Sequence, residues 1–128
     1  MTKFDSNLIK VLYVEDEKDV RESISQILEV FGYDVTVAEN GKLGVEMAES
    51  WKPDFILMDV RMPVMSGPEA IRRIRSNPEF VNVPIFAITA YNDSRTLSEC
   101  EEAGANGSFT KPPDFTKLST VIREIVTA

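Results

Sequence analysis

Short apolar runs and amphipathic stretches alternate along the chain. Ile9–Val14, Phe55–Met58 and Ile85–Ile88 are apolar at nearly every position. Such runs suit strands buried on both faces, as in a parallel sheet. Strand three is read as Asp54–Met58. At Tyr33, Val35 and Val37 the apolar residues alternate with Asp34 and Thr36, which predicts a less buried strand. Gly107–Thr110 predicts a short fifth one.

Between the runs the period lengthens. Val20, Ile24, Ile27, Leu28 and Phe31 fall on one helical face, with Gly32 as a stop. Asn40 is a candidate N-cap for a helix through Ser50, with Leu43, Met47 and Ala48 inward; Gly41 and Gly44 weaken that helix. Pro68 suits the first turn of the next helix, with Ile71 and Ile74 inward and Arg72, Arg73 and Arg75 outward. Asn77–Val83 reads as a loop. Ser94–Ala103 reads as a helix ended by Gly104, with Leu97 and Cys100 on one side. Phe115, Leu118, Val121, Ile122 and Ile125 mark a last helix, with Asp114 as its cap. Five strand–helix repeats predict an α/β fold: a parallel sheet, helices on both faces and right-handed crossovers. The three most apolar runs should lie centrally.

A length of 128 residues fits one domain, 1–128, with an ordered core of about 8–126 and a frayed polar start at 1–7. Lys and Arg number 14 against 21 Asp and Glu, a net charge of −7. That balance argues against direct nucleic-acid binding and leaves a basic protein partner open. Cys100 is the sole cysteine, so no intramolecular disulfide and no cysteine metal site is expected. It reads as a small packing residue and suits a reducing, cytoplasmic setting. The run Leu8–Val14 contains Lys10, is too short to span a membrane and lacks a signal-peptide pattern. No membrane association is expected.

The candidate chemistry lies at the strand ends. The run Phe55–Met58 stops at Asp59, and Met62-Pro63 and Ser66-Gly67-Pro68 break the backbone just after it. Asp59 therefore belongs at the carboxyl end of a central strand, the edge where ligands bind in open α/β sheets. Glu15-Asp16, Thr89 and Lys111 close three other strands. Singly, an acid can precap a helix and a lysine can be a solvated charge; together at one edge they suggest a site. Three neighbouring carboxylates repel, so they take up a proton or bind a cation. Mg2+ suits oxygen ligands of this kind, together with substrate phosphate oxygens. Asp59 can then act as a nucleophile toward phosphorus. Lys111 would neutralise the transferring group, the Thr89 hydroxyl would bond one of its oxygens, and Ala90 leaves it room.

Val14-Glu15-Asp16, Asp59-Val60-Arg61-Met62-Pro63 with Gly67, Ala87-Ile88-Thr89-Ala90, Gly104-Ala105 and Lys111-Pro112, in this order, resemble the receiver domain of two-component response regulators, of the chemotaxis-regulator type. The likeness runs from Ile9 to Val126. It implies a flavodoxin-like (βα)5 fold with a five-stranded parallel sheet in the order 2-1-3-4-5. It implies that Asp59 accepts a phosphoryl group from a phosphohistidine on a sensor histidine kinase or histidine phosphotransfer protein. Mg2+ would be held by Asp16, Asp59 and the backbone carbonyl of Arg61, with Glu15 acting mainly through water. The Lys111–Pro112 bond would be cis. The domain would be a signalling phosphoacceptor rather than an enzyme. Phosphorylation would draw Thr89 in and shift the face of helix four, strand five and helix five toward a downstream protein partner.

Two positions depart from the pattern: Ser108 stands where relatives carry Tyr or Phe, and Pro113 where Phe is common. Phe109 should face the opposite side of its strand. Arg61 and Tyr91, each two residues past a site residue, border the path of the hydrolytic water in that family. Two large side chains there predict slow loss of phosphate. Met1 and an end just after the last helix favour a stand-alone protein over a receiver module of a hybrid histidine kinase, or of a regulator lacking its output domain. A flavin-binding electron carrier would need neutral groups where Glu15, Asp16 and Glu17 stand. A phosphohydrolase would want a second acid near Asp59, where Arg61 lies, and a cap. A degenerate receiver fits poorly, because no site residue is missing.

Overall fold

The computed structural model describes residues 8–90 and 94–127. Five strands alternate with five helices: β1 Lys10–Val14, α1 Lys18–Val30, β2 Asp34–Ala38, α2 Gly41–Trp51, β3 Phe55–Asp59, α3 Gly67–Arg75, β4 Ile85–Thr89, α4 Ser94–Ala103, β5 Gly107–Thr110 and α5 Phe115–Val126. All pairings are parallel, in the order β2-β1-β3-β4-β5. The apolar runs β1, β3 and β4 take the centre, as their lack of alternation predicts.

Strand alternation divides the core into two layers. Leu12, Val14, Ile56, Met58 and Ala87 pack against α2, α3 and α4, through residues such as Ala48, Ile71 and Cys100. Val11, Tyr13, Leu57, Phe86 and Ile88 pack against α1 and α5, through Ile24, Leu28, Leu118 and Ile122. Leu12, Ile56, Leu57 and Leu118 are fully buried, each contributing about 2 kcal/mol by removal from water. Asn40 and Asp114 cap α2 and α5 by accepting from the N–H groups of Leu43 (2.8 Å) and Lys117 (3.1 Å).

Several side chains sit otherwise than their pattern predicts. Leu43 is 39% exposed, whereas Gly41 and Gly44 are buried. The reason is close approach: a Cβ on Gly44 would lie 2.8 Å from Val14 Cγ2. Gly44, which weakens the helix, is what lets it lie on β1, and Gly41 lets its first turn approach Met65 in the loop after β3. Ile27 is 37% exposed, at the rim of α1. Arg75 is half-buried instead of outward. Its guanidinium donates to the carbonyls of Gly104 (2.9 Å), Phe80 (2.7 Å) and Val83 (2.7 Å) and to Asn106 Oδ1 (2.9 Å). It thereby ties the end of α3 to the segments before β4 and β5. The 77–83 loop holds a 3-10 turn, Pro78–Phe80, whose Phe80 is buried. Tyr33 precedes β2, and its buried hydroxyl bonds Ser119 Oγ at 2.6 Å. Among the described residues no helix is long and apolar enough to cross a membrane.

Candidate functional site

The carboxyl ends of β1, β3, β4 and β5 meet at one edge. Asp59 pairs with Ile88, so Thr89 stands one residue beyond it on the adjacent strand. Thr89 pairs in turn with Thr110, and the Lys111 N–H donates to the Thr89 carbonyl at 2.9 Å. Backbone register alone thus gathers Asp59, Thr89 and Lys111. Glu15 and Asp16 follow β1, on the other side of β3. Ligand oxygens of Glu15, Asp16 and Asp59 all lie within 4.8 Å of one another. Glu15 is 0% exposed, Asp59 4% and Thr89 5%.

Lys111 Nζ lies between two of the acids, 2.8 Å from Glu15 Oε1 and 3.4 Å from Asp59 Oδ1. Glu15 is held at both oxygens. The Tyr13 hydroxyl donates to Oε1 at 2.9 Å, and the Glu17 N–H donates to Oε2 at 3.1 Å. Burial alone would push the Glu15 carboxyl up. Hydrogen bonds from Lys111, Glu17 and Tyr13 outweigh it and hold this carboxyl below its usual range. Asp59 fares differently: burial and the neighbouring Glu15 charge raise its carboxyl to about 7, against the pull of Lys111. Burial would lower the Lys111 ammonium, but its bond to Glu15 and the charges of Asp59 and Glu15 raise it, so it stays charged. Burial, then the Glu15 charge, holds the Tyr13 hydroxyl far above the phenol range, so it is a donor.

The Lys111 ammonium thus lies against two of three clustered carboxylates, whose oxygens form a donor set at the sheet edge. A hard divalent cation fits that donor set. Arg61 is exposed in the loop leaving β3, just after Val60, whose N–H donates to the Ile88 carbonyl at 3.3 Å. The same loop is tightly folded. A Cβ on Gly67 would meet the Asp59 carbonyl at 2.6 Å, and Val64 adopts φ 71. Ala90 is exposed beside the site, and the Lys111–Pro112 peptide is cis. Ser108 is exposed on the α4 side of β5, while Phe109 faces the other layer, its ring 5.5 Å from that of Phe86. Pro113 is buried. Tyr91 lies outside the described residues.

Two contributors escape the sequence reading. Tyr13 was legible in principle, since residues two apart on a strand share a face and Glu15 is two residues on. Arg21 follows Glu17 by one helical turn, and its Nη1 donates to the carbonyls of Glu15 (3.0 Å) and Asp16 (3.3 Å). Nothing in the order of residues marks that long-armed bond.

The fold and this edge define a phosphoacceptor signalling module. Residues 11–123 match the response regulator receiver domain model, and the chain belongs to that family. It is 42% identical over 109 residues to a cyclic di-GMP phosphodiesterase of Thermotoga maritima, covering 84% of this chain and 28% of that one. It is 28% identical over 115 residues to sporulation initiation phosphotransferase F of Bacillus subtilis, covering 90% and 91%. The receiver domain of the sensor histidine kinase PA1611 of Pseudomonas aeruginosa, solved with a magnesium ion coordinated in its active-site cleft, superposes with a TM-score of 0.87 at 33% identity, over 94% of this chain and 99% of that one. The chain spans under half the length of several curated relatives it matches.

Proposed function

We propose that Asp59 is the phosphoacceptor, and that its donor is a phosphohistidine on a sensor histidine kinase or histidine phosphotransfer protein. The observation that carries this reading is a carboxylate 4% exposed at a strand end, flanked by Glu15, Asp16 and Lys111. Burial among like charges makes the ionised Asp59 a strained ground state. Bonding one of its oxygens to phosphorus removes that charge from the buried carboxyl and spreads it over phosphoryl oxygens. In the transfer the P–O bond to Asp59 forms as the P–N bond to histidine breaks, and the electron pair stays on the imidazole nitrogen.

Asp16, Asp59 and the Arg61 carbonyl would hold Mg2+, with Glu15 acting through water. When bound, Mg2+ neutralises the phosphoryl oxygens. Lys111 supplies the neighbouring positive charge, and the Thr89 hydroxyl hydrogen-bonds one phosphoryl oxygen. Drawing Thr89 inward would move the α4–β5–α5 face, the docking surface for a downstream protein partner in the cytoplasm. The acidic balance of the chain supports a protein rather than a nucleic acid there. The likeness to the PA1611 receiver supports a second reading, a module serving a hybrid kinase.

Intact mass after incubation with Mg2+ and acetyl phosphate tests the acceptor. The wild type should gain one phosphoryl group and Asp59→Asn none. An equal gain on both proteins would remove Asp59 from the role.

A further inference from the structure

The Tyr13 hydroxyl has no part in the site as the family resemblance draws it. Tyr13 is 0% exposed, and its ring belongs to the layer between the sheet and the α1–α5 pair. A phenylalanine would fill that volume equally. The hydroxyl reaches beyond the apolar layer to Glu15 Oε1, at 2.9 Å, the same oxygen that Lys111 Nζ holds at 2.8 Å. Glu15 Oε2 is taken by the Glu17 N–H.

That sharing matters when the charge at Asp59 changes. Lys111 Nζ already lies 3.4 Å from Asp59 Oδ1. A phosphoryl group on that carboxylate places new anionic oxygens in its reach, and the ammonium, already close to both acids, is drawn away from Glu15 toward them. Glu15 is fully buried. A weakened Lys111 bond at Oε1 costs stability at this buried carboxylate in proportion, unless a second donor to the same oxygen stays. We infer that Tyr13 is a positioning residue for phosphoryl transfer: its hydroxyl retains Glu15 Oε1 and so releases Lys111 to the phosphoryl group on Asp59. The inference rests on Asp59 as the acceptor.

The test is a double-mutant cycle. Tyr13→Phe removes the hydroxyl and keeps the ring. Glu15→Asp keeps the acid but withdraws it by one carbon from the hydroxyl. Two quantities are read for wild type, both single variants and the double variant: the rate of phosphorylation by acetyl phosphate, and the affinity for beryllofluoride in Mg2+, an inert phosphoryl mimic. Tyr13→Phe should lower both by about tenfold, the factor for one hydrogen bond to a charged group. In the Glu15→Asp background the same change should alter them less than twofold. Urea unfolding of all four proteins reports the general cost to the fold, which a merely structural role would carry equally into both backgrounds. Equal effects in the two backgrounds, or none in either, would overturn the inference while the acceptor reading stands. A wild type that neither gains phosphate nor binds beryllofluoride would overturn the acceptor reading and this inference with it.

Discussion

Replacing Asp59 by Asn should stabilise the metal-free protein, and the gain should depend on pH. Burial and the Glu15 charge raise the Asp59 carboxyl from the ordinary 3.8 to about 7 in the folded state. The unfolded chain releases that proton near the ordinary value. Between the two the folded state binds more protons, so stability falls as pH rises through this window. Above about 7 the loss is complete. At about 1.4 kcal/mol per tenfold change in proton affinity it amounts to roughly 4 kcal/mol. The pull of Lys111 is already contained in that figure, because the ammonium opposes the rise. Asn keeps the shape and carries no charge, so Asp59→Asn should exceed the wild type by roughly 2 to 4 kcal/mol at pH 8. Near pH 4 the two should converge. Urea unfolding in EDTA at pH 4.5, 6 and 8, followed through Trp51, the sole tryptophan, measures the gap. Mg2+ at ten times its dissociation constant should then return about 1.4 kcal/mol to the wild type alone. A gap that does not widen with pH, or a variant less stable than wild type at pH 8, would refute the reasoning.

Three further outcomes follow from the same geometry. Val64 is a β-branched residue at φ 71 and 80% exposed; Val64→Asn should raise stability by roughly 1 kcal/mol by relieving the left-handed backbone, seen as a higher urea midpoint. Gly67→Ala forces a Cβ to within 2.6 Å of the Asp59 carbonyl; it should cost about 1–3 kcal/mol and slow phosphorylation by acetyl phosphate, and a variant with wild-type midpoint and rate would contradict the close packing. Thr89→Ala should still gain one phosphoryl group by mass but lose the beryllofluoride-induced amide shifts on α4, β5 and α5 in NMR spectra, whereas shifts equal to wild type would show that the face responds without this hydroxyl.

What the chain makes legible follows from periodicity and register. Unalternated runs place β1, β3 and β4 at the sheet centre, and once strands are parallel their carboxyl ends must share an edge. Asp59, Thr89 and Lys111 then meet through backbone pairing alone. Side-chain reach is less legible. Arg75 looks like one of three outward cations, yet its guanidinium meets carbonyls of the following loop, at Phe80 and Val83, and acceptors at Gly104 and Asn106 that are distant in sequence. Gly44 looks like a weakness in a helix until Val14 is seen against it. Helical period alone misplaces Leu43, because an apolar residue is expected inward when the true contact face is made of small residues. Tyr13 hides among the apolar residues of β1, since only its last atom is polar and only the fold brings Lys111 to the same oxygen.

Locating the phosphoryl group tests the central claim most directly. Acyl phosphates are reduced by borohydride to alcohols, which marks the modified carboxylate in a peptide map. After treatment with Mg2+ and a phosphodonor, the mark should fall on residue 59 and nowhere else. A mark on Asp16, Glu15 or Asp54, or an unmarked protein from a sample that binds Mg2+, would contradict the account.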